Sequence, residues 1–166
     1  MHAYSPADWT GFFAAVTGAA AALAGLLFVA VSINLNKILE EGESLASRAA
    51  ETIAMVVFVV LSSALVLVPQ PLVVLGVEIL VVVIPLAAVT LRNQLKYRRQ
   101  RSPDDPLYWL VSRMIASGLP LLVGLLAGIS LAAHWGGGLY WLVPTTLLGI
   151  AGAVYSAWVL LVEIIR

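Results

Sequence analysis

The chain of 166 residues contains no cysteine and very little charge. The absence of cysteine excludes disulfides, thiol catalysis and cysteine metal sites. Charged residues make up 11% of the sequence, whereas a soluble domain contains about 25%. Hydrophobic residues make up 61% and the formal net charge is zero. This composition predicts a membrane protein and argues against a nucleic-acid partner.

Five apolar stretches are each long enough to cross a bilayer, which takes about 20 residues in a helix. They predict an all-α integral membrane protein with a single domain over residues 1–166. The predicted bundle has five transmembrane helices, at about 9–36, 49–68, 72–91, 107–133 and 140–165. Pro69-Gln70-Pro71 leaves room only for a tight turn, so the second and third helices form an antiparallel hairpin. Gly118 and Pro120 predict a kink in the fourth helix.

The orientation follows from the basic residues, because all nine Lys and Arg residues fall on or near one side of a five-span topology. Cytoplasmic loops carry the excess of Lys and Arg, so we expect the N-terminus outside and the C-terminus inside. A short polar connection is predicted at 37–48. A basic loop that faces the lipid is predicted further on, formed by Arg92, Lys96, Arg98, Arg99 and Arg101. This loop binds anionic lipid headgroups or only fixes the orientation.

Small residues form two rows along the first helix, Ala14-Gly18-Ala22 and Thr17-Ala21-Gly25. Helices in lipid associate through close van der Waals contact, which small residues permit. The first helix is therefore predicted to lie at the centre of the bundle. The predicted packing positions are Gly18, Ala22 and Gly25 in the first helix and Gly124 and Gly128 in the fourth.

The string GLLFVAVSINLNKIL at residues 25–39 follows an aromatic pair, Phe12-Phe13, and a run rich in Ala and Gly. This segment resembles the first helix of a family of small, uncharacterised bacterial inner-membrane proteins. The Arg-Ala-Ala-Glu-Thr start of the second helix at 48–52 also resembles that family. That family has a GLxFVAxSINL-like first helix, and the resemblance covers about the first seventy residues. It implies a multi-pass protein of the bacterial inner membrane and transfers no activity.

Glu78 is the strongest candidate for a functional residue, because it lies roughly 10 Å into the third helix. An ionisable group at that depth is costly and usually faces protein or water. Polar residues at similar depth on the other helices complete a predicted outer polar layer: Thr17, Ser62, Ser63, Ser130, Thr145 and Thr146. One interpretation is that this layer is an ion or proton site. Alternatively, a protonated Glu78 bonds to Ser62 or Ser63 and only holds helices together, or contacts lipid headgroups.

A second polar set lies near the predicted cytoplasmic ends of the helices and contains Glu51, Arg113 and Glu163. Arg113 pairs with either carboxylate or extends toward the cytoplasm without a specific partner. Polar residues at the end of the first helix are predicted to form the inner mouth of a pore together with this set, or to hydrogen-bond across helices. They are Ser32, Asn34 and Asn36.

We expect no enzyme activity, metal site or cofactor. The sequence contains no catalytic serine set, phosphate loop or metalloprotease helix, and its two histidines, His2 and His134, are far apart. The predicted function is an oligomeric ion channel, or a transport protein coupled to protons or ions, built around Glu78 in a homo-oligomer. The alternative is a non-catalytic scaffold or regulatory subunit that binds a larger membrane protein complex or anionic lipid.

Overall fold

The structure, a computed structural model, describes residues 3–40, 43–100, 111–112 and 114–165. Within these ranges the side chains are described except at 43, 44, 100 and 160–165. Every regular element of the described ranges is helical. The elements are a 3-10 turn (Pro6–Trp9), α1 (Thr10–Ile33), α2 (Leu35–Glu40), α3 (Glu43–Leu67), α4 (Leu72–Gln100), a π-helical turn (Met114–Gly118), α5 (Leu119–Ala132), a second 3-10 turn (Gly138–Trp141) and α6 (Leu142–Ile165).

Five stretches of these helices are long and apolar enough to cross a membrane. They are Pro6–Ile33, Leu45–Leu67, Leu72–Arg99, Met114–Ala132 and Gly138–Val159. The predicted class, an all-helical multi-pass membrane protein, is therefore confirmed for the described residues. The hairpin of the second and third spans is also confirmed, because α3 and α4 are in contact and only residues 68–71 separate them.

The two ends of the bundle differ in composition. At the turn end, the N-terminal segment meets the turn after α5, where the Leu139 N–H donates to the Ala3 carbonyl at 2.8 Å. Tyr4 stacks on His134 at the same end, with ring centroids 5.5 Å apart. The opposite end, which we call the basic end, carries the basic residues of α3 and α4. The described chain thus begins at the turn end, and α6 ends at the basic end.

Helices α3, α4, α5 and α6 form a closed ring in which each helix packs on the next, and α1 packs outside the ring against α3. Within the apolar 18-residue stretch that identifies each span, 50% of the residues are buried in the α3 span, but only 17% are buried in the first span. The buried face of α1 consists of Phe13, Val16, Ala20 and Leu27. Helix α3 is therefore the central helix of the single chain.

The small-residue edge of α1 points away from α3. Ala14, Gly18, Ala22 and Gly25 are all exposed. A Cβ atom added at Gly18 or Gly25 would meet no other part of the described chain within 4 Å. The prediction that the first helix occupies the centre of the bundle is wrong for the single chain. The larger side chains of the opposite face make more dispersion contacts and pack on α3 instead.

A close backbone contact joins α4 to α5 through glycines. A Cβ atom at Gly76 would lie 2.5 Å from the Ala132 backbone nitrogen and 2.8 Å from the Gly128 carbonyl oxygen. One at Gly124 would lie 3.0 Å from Cζ of Phe58. Gly124 and Gly128 thus lie at close helix contacts, and Gly76 is a further contact position that the sequence analysis missed.

Helix α4 continues to Gln100, nine residues beyond the predicted end at 91. Four residues of the predicted basic loop are therefore helical, namely Arg92, Lys96, Arg98 and Arg99, while Arg101 lies outside the described residues. Lys, Arg, Gln and Leu favour helix, and positive charge stabilises a helix C-terminus, which explains the extension. The predicted connection at 37–48 is likewise largely helical, because α2 and the start of α3 occupy most of it.

Two single-cysteine variants test the five-span arrangement, since the natural chain has no cysteine. Ala133→Cys lies at the turn end and Asn36→Cys at the basic end, and both positions are exposed. A membrane-impermeant maleimide should label the two variants from opposite sides of sealed vesicles, because an odd number of spans separates the ends. Labelling of both from one side would contradict five spans.

Candidate functional site

Glu78 is half-buried on α4, six residues after Leu72 and so about 9 Å from the start of the helix. Its Oε2 atom accepts a hydrogen bond of 2.8 Å from the side-chain amide of Gln70. The same amide nitrogen donates to the Leu65 carbonyl at 3.2 Å. Carbonyls in the last turn of a helix lack an intrahelical partner, so Gln70 caps α3 while it holds Glu78.

The expected partners of Glu78 are Ser62 and Ser63, and neither hydrogen-bonds to it. The Ser62 hydroxyl donates to the Val59 carbonyl at 3.2 Å. The Ser63 Oγ atom is buried and has no hydrogen-bond partner among the described residues. The prediction of a Glu78–serine contact is therefore wrong. A serine within a helix reaches the carbonyl one turn back, whereas the longer side chain of Gln70 spans the gap to α4.

The other hydroxyls of the predicted outer layer also bond close to their own position in the chain. Three threonines donate to a carbonyl of the preceding turn: Thr17 to Phe13 at 2.7 Å, Thr145 to Trp141 at 2.7 Å and Thr146 to Val143 at 3.0 Å. Ser130 donates to the Trp135 carbonyl and accepts from the Gly138 N–H at 2.8 Å. In the described chain, these residues share a depth but form no hydrogen-bonded network with Glu78.

A different polar site lies at the basic end. Glu51 and Thr52 lie three and four residues after Arg48 on α3, which places all three residues on one helix face. Their exposed fractions are only 8%, 7% and 4%. The Thr52 hydroxyl donates to the Arg48 carbonyl at 2.8 Å. Burying charge is costly unless the groups are paired or hydrogen-bonded, so this face is a stronger functional candidate than the outer layer.

This face of α3 borders a small cavity of about 10 Å³. A cavity of roughly that size holds a single water molecule. The described residues that line it come from three elements: Arg48, Glu51, Thr52 and Met55 from α3, Ala116 and Ser117 from the π-helical turn, and Gly152, Ala153 and Ser156 from α6. One carboxylate, one guanidinium and three hydroxyls thus converge on a volume large enough for one small polar species.

The π-helical turn positions Ser117 in this site. The buried Gln94 side chain on α4 donates to the Ser117 hydroxyl at 3.0 Å. A Cβ atom at Gly152 would overlap the Ala116 carbonyl oxygen, so α6 contacts the turn through its backbone. Because π-helical turns occur frequently at functional sites, the turn is a further reason to place the candidate site here.

An apolar block separates the basic-end site from the outer polar layer. It consists of Met55, Phe58, Val83 and Leu121, all buried in one cluster. Glu51 and Glu78 are about 15 Å apart along the bundle at 1.5 Å per residue. Phe58 is 1% exposed and fills the centre of the ring. The described residues of the single chain therefore contain no continuous polar path between the two carboxylates.

Among the described residues of the predicted inner set, only Glu51 lines the cavity. Ser32 and Asn36 are exposed, and Asn34 donates to the Ala30 carbonyl of its own helix at 2.9 Å. The prediction that these three residues form an inner mouth is thus wrong for the single chain, because α1 lies outside the ring. Arg113 lies outside the described residues, and so does the side chain of Glu163.

Several residues of the basic-end site were not predicted from the sequence. Arg48 and Thr52 could have been found, since their spacing to Glu51 places all three on one face. Gln94 and Ser156 are polar residues inside predicted apolar stretches or next to them, which is a weaker signal. No feature of the sequence identifies Ser117 as a site residue, because the direction of its side chain depends on the π-helical turn.

A scan against protein-family models and searches of curated proteins and of solved structures each found no match. The site must therefore be interpreted from its own chemistry, and the resemblance of the first helix stays a prediction.

The Gln70–Glu78 hydrogen bond predicts different effects for two substitutions. Glu78→Gln keeps an acceptor for Gln70 and should leave the melting temperature in detergent unchanged. Glu78→Leu leaves the Gln70 amide without that acceptor and should cost about 1–3 kcal/mol of unfolding free energy. In a Gln70→Ala background the loss should shrink, because the amide is already absent. An equal loss in both backgrounds would contradict a stabilising bond.

Proposed function

We propose that the protein moves protons or small cations across a bacterial inner membrane and that the Arg48–Glu51 site takes part in this transport. The observation that supports the proposal is a buried carboxylate and a buried arginine beside a water-sized cavity in a bundle of membrane-spanning helices. Ionisable groups within membrane spans are rare, and they commonly mark ion or proton pathways. The proposed role is transport without catalysis.

The two carboxylates have different roles in this proposal. Glu51 binds the transported proton or cation, because it lines the cavity together with Thr52 and Ser117. Glu78 stabilises the turn end through Gln70. The apolar block around Phe58 acts as a closed gate, since an apolar constriction excludes the water on which ion or proton movement depends.

The proposed orientation places the basic end in the cytoplasm and the N-terminus outside. Its support is the position of the basic residues of α3 and α4, all at one end of the bundle, together with the preference of Lys and Arg for the cytoplasmic side. The labelling of Ala133→Cys from the outside of intact cells decides this orientation.

Proton flux into vesicles tests the transport proposal. The full chain is reconstituted in liposomes that contain a pH-sensitive dye, and a potassium gradient with valinomycin drives proton entry. Phe58→Leu should raise the flux several-fold over the natural chain, because a smaller side chain opens the gate. Adding Glu51→Gln to Phe58→Leu should return the flux to the level of empty liposomes.

A matched control separates gating from general damage. Phe28→Leu makes the same change on the outside of α1, where Phe28 is 66% exposed, and should leave the flux unchanged. Glu78→Gln in the Phe58→Leu background should also leave it unchanged. The same variants are measured with a sodium-sensitive dye for cation flux. Equal, empty-liposome flux of both protons and sodium in all variants would refute the transport proposal, and flux that survives Glu51→Gln would refute the role of Glu51.

The second candidate function is an interaction protein that packs against another membrane protein or a second copy of itself. The observation that favours it is the open small-residue edge of α1, where a Cβ atom added at Gly18 or Gly25 would meet no other described part of the chain within 4 Å. Such edges allow close helix association in lipid. Liposomes that stay sealed in every flux experiment would favour this function over transport.

The interaction candidate predicts that large residues on the edge weaken association. Ala14→Leu and Gly18→Leu should each shift the purified protein to smaller species in light scattering after size-exclusion chromatography, because they block close approach. Ala19→Leu is the matched control, since Ala19 is exposed on the same helix about 140° from Ala14. An unchanged mass in both edge variants would rule out association through this edge.

A further inference from the structure

The basic end of α4 carries an open groove of about 650 Å³. Small-molecule sites in proteins span roughly 300–1,000 Å³, so the groove can hold a lipid headgroup. The described residues that line it are Arg92, Asn93, Leu95, Lys96 and Arg99, all from the last turns of α4. Arg92, Lys96 and Arg99 are spaced by four and three residues and therefore lie on one helix face.

The charge of the groove selects the kind of ligand. Three of its five described lining residues are basic and none is acidic. Arg side chains bind phosphate oxygens with two parallel hydrogen bonds, and Lys provides a further positive charge. Asn93 adds an amide donor. These groups fit a phosphodiester and favour an anionic headgroup over a zwitterionic one, whose ammonium group reduces the net attraction.

The same helix face continues into the membrane as an apolar surface. Ala88, Pro85 and Val81 precede Arg92 by four, seven and eleven residues, and all three are exposed. The distance from Arg92 to Val81 is about 16 Å at 1.5 Å per residue. One leaflet of a hydrocarbon core is about 15 Å thick. An acyl chain can therefore lie along this face over its whole depth while its phosphate contacts the groove.

We propose that this face of α4 is a binding site for one anionic phospholipid, with its phosphate at Arg92, Lys96 and Arg99 and an acyl chain along Ala88, Pro85 and Val81. The site is independent of the transport proposal, because it lies on the outer surface of the ring and shares no described lining residue with the Arg48–Glu51 cavity. It assigns a specific role to residues that otherwise would serve only to orient the chain.

Native mass spectrometry of the full chain in detergent tests the site. The protein is titrated with dioleoyl phosphatidylglycerol, and the dissociation constant of the first bound lipid is measured. Arg92→Gln and Arg99→Gln should each weaken binding about five-fold, and the double variant about 25-fold, as expected for basic residues at an anionic membrane surface. Gln also favours helix, so these variants should keep the helical circular dichroism spectrum.

Arg98→Gln is the matched control, because it removes the same charge from the same end of α4 but outside the groove. It should change binding less than two-fold, and dioleoyl phosphatidylcholine should bind at least ten-fold more weakly than phosphatidylglycerol. Equal weakening by Arg98→Gln, unchanged binding in the double variant or equal binding of the two lipids would overturn the proposal. Displacement of the lipid by millimolar inorganic phosphate would overturn it too, since the groove would then be a site for free phosphate.

Discussion

The backbone contact between α4 and α5 at Gly76 and Gly128 is the constraint on which the rest of the bundle depends. A Cβ atom at Gly76 would lie 2.5 Å from a backbone nitrogen of the neighbouring helix, so a larger residue would force the two helices apart. Apolar burial gives helices little reason to associate in lipid, and close contact between backbones replaces it. Once this contact closes the ring, Phe58 fills the centre against Gly124, and the polar groups are confined to the two ends.

Within this bundle, the side chains of Gln70 and Gln94 connect different elements, whereas hydroxyls mostly do not. Three threonine hydroxyls donate to a carbonyl of the preceding turn, because a helix carbonyl is within reach of a short side chain. They belong to Thr17, Thr145 and Thr146. Gln70 reaches Glu78, and Gln94 reaches Ser117 on another helical segment. The polar contacts between elements therefore depend on side-chain length as well as on depth in the membrane.

The number of spans and the hairpin at Pro69–Pro71 could be predicted from the sequence, because apolar length and proline position act locally. The position of α1 could not, since the small-residue rows identify one helix face but not what packs against it. The predicted end of α4 at residue 91 is too early, because Lys, Arg and Gln favour helix and continue α4 to Gln100. The partner of Glu78 and the role of Ser117 depend on rotations and on a π-helical turn that single-sequence periodicity does not reveal.

The π-helical turn at Met114–Gly118 contains one residue more than an α-helical turn of the same height. Removing one residue there would leave an α-helical turn of the same height, so the flanking chain would keep its position while the side chains within the turn change direction. Ser117 would then leave Gln94, and the Ala116 carbonyl would leave its contact with Gly152. A deletion of one residue would thus exchange the side chains that face the cavity while leaving the composition and the apolar length of the span nearly the same. In the evolution of such a chain, the count of residues in this turn constrains the site as strongly as their identity.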